Sequence, residues 1–396
     1  MQESFPPDLA RLLHPITSDT FFREYWEEKP LLVRRTDPNY YGSLATLQQV
    51  DALITVLPPD GVTLINSDVP VNLQEFIRPD YSFDVVRACQ LFAGGATILV
   101  RDAHKRLTSL AVLCRRLERE FAAPLKTNLY LTPARGAGFG AHFDTHDVLL
   151  LQLSGSKEWT IFDAPVRLPL SGQRFDANLH PVGEATMSFV LNAGDFLYIP
   201  RGFVHSGRSG DATSLHATLG ILSYRWADVL MEVMAQVCLY DPDFRRSLPL
   251  DLCRRDFDIS AARRIVMDLM VRAVEQADPD RVLDRFADEF AVGRPTLIGG
   301  QLDKLLLTKE NLLPTDRVGI RPTALYRTKI TGDAMTVRSQ GRELSLPVEA
   351  AEAAMFALET ENYCARDLPG DLAEDDKLLL VVRLIEEGLV WKLSGG

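Results

Sequence analysis

The chain has 396 residues, of which 46% are hydrophobic and 24% charged, and its formal net charge is −11. That length exceeds one compact core, so two or three domains are expected, and the negative field works against wrapping nucleic acid, whose phosphates are bound by Lys and Arg displacing counterions. A basic protein or peptide suits the field better, and so does the ordinary acidity of many cytoplasmic proteins.

Five scattered cysteines, Cys89, Cys114, Cys238, Cys253 and Cys364, include no Cys-x-x-Cys pair and read as small buried hydrophobes in a reducing compartment. Gln2, Glu3, Pro6, Pro7 and Asp8 interrupt the opening as a signal sequence, and no apolar run is long enough to span a bilayer. A cytoplasmic location without membrane contact is expected.

In chain order, residues 1 to about 125 mix helical and irregular signals, with helices predicted over Leu44 to Leu57 and Leu107 to Phe121. Arg115, Arg116, Glu118, Arg119 and Glu120 form the expected polar face of the second. From Lys126 the texture changes to short β-type runs: Asn128 to Leu131, Asp147 to Leu153, Glu158 to Phe162, Met187 to Leu191, Phe196 to Ile199 and Ser214 to Leu222. Many short strands with frequent turns indicate an antiparallel sandwich or barrel.

Helices return at Trp226 to Tyr240 and Ser260 to Ala277, the latter with Ser260 as N-cap and an apolar stripe of Ile265, Val266, Leu269, Met270 and Ala273. Such a segment either closes a dimer interface or packs on its own domain. The last stretch reads strand, helix, helix, strand: Ala334 to Arg338, a turn at Ser339-Gln340-Gly341, then Val348 to Glu359, Asp375 to Glu387 and Leu389 to Leu393. This is the order of a small winged-helix unit. Residues 321 to 396 carry nine Lys or Arg against thirteen Asp or Glu, which favours a scaffold role over duplex binding.

The informative chemistry lies in Gly136-Ala137-Gly138-Phe139-Gly140-Ala141-His142-Phe143-Asp144, answered by Gly194-Asp195 and by Pro200 through His205. Residues two apart on a strand share a side, so His142 and Asp144 can offer an imidazole and a carboxylate to one ion, and His205 supplies a second imidazole. Two His and one carboxylate leave three positions open on an octahedral metal, the arrangement of non-haem Fe(II) oxygenases. Zinc would favour a closed set with Cys or a third His. His146 is the spare candidate and reads more simply as a turn residue.

Lys157, in Ser154-Gly155-Ser156-Lys157-Glu158-Trp159, has two readings. Inside a barrel an ammonium needs a negative group, which a dicarboxylate would supply; the alternative is an exposed hairpin lysine. A straight strand from 142 to 152 would put Lys157 roughly 26 Å from Asp144 at ~3.3 Å per residue. The first reading therefore requires a bend around Thr145 to Asp147.

These motifs resemble the ribosomal oxygenase branch of the JmjC hydroxylases, in the cupin superfamily. The resemblance rests on Phe22 through Leu32, His142-Phe143-Asp144, Val148 through Leu153, Gly155 through Trp159, Gly194-Asp195, Pro200, His205 and Leu215-His216-Ala217-Thr218. It implies a mixed α and β fold with a double-stranded β-helix (jelly-roll) core and flanking helices. The implied domains are a catalytic one over 1–225, a helical dimerisation domain over 226–310 and a winged-helix-like domain over 311–396.

It also implies Fe(II) held by His142, Asp144 and His205, with 2-oxoglutarate and O2 as cosubstrates. Lys157 would hold the far carboxylate of 2-oxoglutarate, and Asn128, Tyr130 and Thr218 would line its pocket. The reaction would couple oxidative decarboxylation to hydroxylation of a His or Arg side chain in a ribosomal protein, by a homodimer. The Tyr that some members place between the ligands is Phe143 here. A same-fold hydroxylase of a small molecule or peptide natural product, and a non-catalytic cupin-like binding protein, are the rival readings. An acidic site mouth would favour a basic protein substrate and a sealed pocket the small molecule.

Overall fold

A computed structural model describes residues 8–294, 301–302 and 312–393. They fall into two compact units: Met1–Ser223 with Thr296–Ala324 and Glu352–Gly396, and Tyr224–Pro295 with Leu325–Ala351.

The first unit is built on two antiparallel sheets. The larger takes in β1 (Leu31–Val33), β2 (Val62–Ile65), β3 (Thr97–Val100), β4 (Leu125–Thr132), β5 (Asp147–Ser154), β8 (Phe196–Ile199) and β10 (Ser214–Ile221), in the order β1-β8-β5-β10-β4-β3-β2. The smaller is β7-β6-β9, from Ala185–Asn192, Ser156–Phe162 and His205–Arg208. β5 explains the arrangement. Its Val148, Leu149, Leu150 and Leu151 are all buried, which an alternating strand achieves only when both faces are covered.

Leu149, Leu151 and Leu153 join a core under the helices, while Val148 and Leu150 pack with Trp159, Ile161, Leu191, Leu197 and Ile199 of neighbouring strands. Each such fully buried side chain contributes about 1.5–3 kcal/mol. β10 divides the same way. Leu215, Ala217, Leu219 and Ile221 enter the helix-side core, leaving His216, Thr218 and Gly220 on the other face.

The six expected strands between 126 and 222 are present, extended by one to three residues at some of their ends, with the last stopping one residue sooner at Ile221. The helix expected from Leu44 begins at Leu47, because Thr46 and Gln49 close a reciprocal capping box there. The helix Thr108–Phe121 buries Leu110, Leu113, Cys114 and Leu117 at i, i+3, i+4, i+7 spacing. Its expected polar face needs correction: Arg115 and Glu118 are buried as an ion pair. Glu118 also accepts the Leu125 N–H at 2.9 Å, so the pair ties the helix to the start of β4. β1, β2 and β3, three or four residues each, stand where helical and irregular signals were expected.

Also in the first unit, Arg317–Ile320, Tyr363–Cys364 and Val390–Lys392 form a three-stranded sheet beside the helix Glu374–Glu386. The second unit holds helices Trp226–Tyr240, Ile259–Gln276 and Pro279–Val292 with a meander of Arg327–Thr331, Ala334–Ser339 and Arg342–Pro347. Its middle helix is capped by Asp258, which accepts from the Ser260 and Ala261 N–H groups; Ser260, the expected cap, lies inside. The stripe expected on that helix is largely exposed, with only Ala273 buried. No disulfide joins any of the five cysteines, and Cys89 and Cys253 are exposed rather than buried. Among the described residues no helix is long and apolar enough to cross a membrane.

Candidate metal centre

Two chain segments meet at the site. His142 precedes β5 and His205 opens β9, and their backbones bond reciprocally, His142 N–H to His205 O at 3.1 Å and His205 N–H to His142 O at 2.8 Å. The donor atoms of His142, Asp144 and His205 all lie within 4.8 Å of one another. His205 Nε2 stands 3.7 Å from Asp144 Oδ2.

Each imidazole turns its Nδ1 toward a carbonyl two residues back, His142 to Gly140 O at 2.8 Å and His205 to Phe203 O at 3.1 Å. A tautomer that donates there leaves Nε2 as the free lone pair, the orientation a metal-binding histidine needs. Burial, with His142 adding to it, pushes the His205 imidazole down to about 4. Burial alone would raise the Asp144 carboxyl, but His146, His205 and His142 outweigh it and hold the group below its ordinary value. Two imidazoles and a carboxylate fit an Fe(II) ion with open positions.

The three residues open onto a cavity of about 520 Å³ whose wall also includes Asn128, Tyr130, Lys157 and Thr218. Every expected site residue therefore faces one space. The bend that Lys157 requires is present, since β5 starts only at Asp147. Lys157 is 3% exposed, which rules out the hairpin-surface reading. Its ammonium donates to Thr132 Oγ1 at 3.2 Å and sits over the Trp159 ring, 5.6 Å from its centroid. No carboxylate pairs with it among the described residues. Burial lowers its pKa to about 7, and an anion beside it would favour the charged form.

Tyr130 stacks on His216 with centroids 4.8 Å apart. Burial and the Asp144 charge push its hydroxyl up to about 12. Asn128 Oδ1 accepts from the Asp102 N–H at 3.1 Å. Tyr130 pairs across the ladder with His216, and Asn128 with Thr218, so β4 and β10 offer matched pairs to the cavity. His146 is in the wall but outside the three-residue group.

The sequence did not single out His216, Thr132 and Trp159 as site residues. Period-two counting from Tyr130 and Thr218 would have found the first two. His216 Nδ1 and Trp159 Nε1 are buried without a hydrogen-bond partner among the described residues. The charged wall is Arg101, Lys126 and Lys157 against Asp144, not the acidic mouth expected for a basic substrate.

Residues 103–229 match the JmjC domain family. That stretch of the chain is similar to a JmjC domain. Among similar proteins, Ribosomal oxygenase 1 of Danio rerio is 30% identical over 70% of this chain and 55% of its own length. Ribosomal oxygenase 2 of Rattus norvegicus is 29% identical over 74% and 62%. The "Bifunctional lysine-specific demethylase and histidyl-hydroxylase NO66" of Drosophila mojavensis is 28% identical over 70% and 34%. The chain thus spans about a third to three fifths of the length of these curated relatives.

Ribosomal oxygenase YcfD from Escherichia coli, in complex with cobalt and 2-oxoglutarate, superposes with TM-score 0.52 at 17% identity, covering 95% of this chain and 98% of that one. At that identity the likeness speaks to fold alone. The shared fold is mixed α and β, with antiparallel sheets and flanking helices.

Proposed function

We propose that the chain is an Fe(II)- and 2-oxoglutarate-dependent oxygenase that hydroxylates a side chain of a ribosomal protein. The observation that carries this is one cavity holding both the convergent His142, Asp144 and His205 donors and a buried amine, Lys157, with no carboxylate partner among the described residues. Bound iron would supply the dioxygen chemistry that couples 2-oxoglutarate decarboxylation to oxygen insertion at a C–H bond.

The protein's part is positioning. His142, Asp144 and His205 would hold the metal through Nε2 and carboxylate oxygen. Lys157, with Thr132 beside it, would take the far carboxylate of 2-oxoglutarate. Asn128, Tyr130 and Thr218 would line its flanks. The packing of Val148, Leu150 and Trp159 excludes bulk water from this end.

Between His and Arg as the target residue, the wall favours His. Among the cavity-lining residues an entering guanidinium would meet Arg101 and Lys126 and no carboxylate but Asp144, which a bound metal would occupy. A neutral imidazole meets no such opposition. The relatives' names support a protein substrate over a small molecule.

The exposed apolar residues of the helices Trp226–Tyr240 and Ile259–Gln276 support a homodimer: Trp226 is 77% exposed and Val274 79%, with Leu230, Met231, Ile265 and Met270 exposed as well. A monomer by light scattering at micromolar concentration would overturn that part. The division 1–225, 226–310 and 311–396, a winged-helix-like scaffold without duplex binding, and a cytoplasmic location complete the reading.

The test is anaerobic binding of Fe(II) and 2-oxoglutarate, then succinate release on adding air. Intact masses of ribosomal proteins from deletion and parent cells should differ by one oxygen. Succinate formation surviving in His142→Ala would overturn the ligand assignment.

A further inference from the structure

Three residues after Asp144, and four before His205, two buried charges meet. Arg201 donates from Nη1 to Asp147 Oδ2 at 2.6 Å. The same nitrogen lies 2.6 Å from Glu27 Oε1. Asp147 Oδ1 also accepts the Tyr198 hydroxyl at 2.9 Å and the Arg201 N–H at 3.4 Å. The Tyr198 oxygen in turn accepts the Glu27 N–H at 2.8 Å. Glu27 holds the left-handed region at φ 61, a conformation that a non-glycine residue keeps only where surrounding contacts fix it.

The neighbouring turn completes the arrangement. Gly202 N–H donates to Asp144 O at 3.0 Å. Gly202 has φ +92, and a Cβ there would come within 2.2 Å of Val166 O, so this backbone bond needs glycine. The ligand segment 142–144 and the ligand segment 200–205 are thus joined at both ends: by the His142–His205 backbone pair at one, and by Gly202–Asp144 with Arg201–Asp147 at the other.

We infer that the Glu27–Arg201–Asp147–Tyr198 network positions Asp144 and His205 for the metal, so that the N-terminal helical region sets the geometry of the centre without touching it. Burying two charges is a costly way to gain stability alone, since apolar replacements of similar volume often do as well or better. What the pair adds is direction. It fixes where β5 begins, and so where the bend between Asp144 and Asp147 points. The inference rests on the proposed ligand set, and its test separates the two.

Co(II) affinity and the Co(II) visible absorption spectrum, which follows ligand geometry, are measured on the full chain beside thermal unfolding of the metal-free protein. His142→Ala reports on the ligand set alone. Asp147→Asn and Arg201→Lys should each weaken Co(II) binding roughly 10- to 100-fold and alter the spectrum. The double variant Asp147→Leu with Arg201→Met, which leaves neither partner of the pair behind, should recover the unfolding temperature but not the affinity or the spectrum. If His142→Ala abolishes binding while Asp147→Asn, or the folded double variant, binds Co(II) within twofold of the parent with the same spectrum, the network is merely structural and the inference fails. If His142→Ala binds like the parent, the ligand assignment has failed instead.

Discussion

The two faces of the seven-stranded sheet come from the same strands and do different work. On one, Leu129, Leu131, Leu149, Leu151, Ala217 and Leu219 pack under helices. On the other, Asn128, Tyr130, His216 and Thr218 line the cavity. Neighbouring residues in the chain thus belong to different problems, one of volume and one of charge and hydrogen bonding. Alternation lets a strand solve both only if its register is kept.

The sharpest way to break this contrast is at the metal donors. His142→Ala should reduce succinate formation to the enzyme-free background while the unfolding temperature stays near that of the metal-free parent. A large drop in that temperature would make His142 part of the core. Next in size, Leu149→Ala, on the packed face of β5, should cost about 2–5 kcal/mol in denaturant unfolding. Its Co(II) affinity at a temperature where it is folded should match the parent's. A weakened metal site would show that the two faces are coupled.

Lys157→Met should weaken 2-oxoglutarate binding by about 2–5 kcal/mol and raise the stability of the ligand-free protein, since a buried charge without an anion is removed. Calorimetry and thermal unfolding read the two. The pH dependence follows from the amine's lowered value of about 7, caused by burial. Below it the ammonium is present and binds the dicarboxylate; above it the amine is neutral. Affinity should therefore fall as pH rises from about 6 to about 8, with proton uptake on binding at the upper end. Lys157→Met should lose that slope. Smallest of all, Thr218→Ala should cost about 0.5–1.5 kcal/mol of 2-oxoglutarate affinity.

The sequence disclosed the middle of the molecule best, for reasons visible in particular residues. The run Asp147 to Leu153 reads as a strand among turn-bounded neighbours, and His142, Asp144 and His205 gain their meaning from the Gly-rich approach and the Gly-Asp, Pro and His turn around them. The edge strands Leu31–Val33, Val62–Ile65 and Thr97–Val100 are too short to show a period. Arg201 and Asp147, 54 positions apart, carry no local signal of meeting. The depth of Lys157 depended on a bend that the residues Thr145 and His146 permit but do not demand. The strands Arg327–Thr331 and Arg342–Pro347, on either side of the expected Ala334 to Arg338, were missed because Arg327, Lys329, Arg342 and Glu343 give these exposed edges a polar texture.

The cross-strand pairing of Tyr130 with His216 and of Asn128 with Thr218 limits how such a chain can change over evolutionary time. A single residue inserted or deleted ahead of Tyr130 in one strand, or of His216 in the other, would turn that phenol or that imidazole into the helix-packed interior and expose leucines to the cavity. New substrate preferences are therefore reachable by point replacements at cavity positions or by length changes in loops, while strand lengths stay frozen.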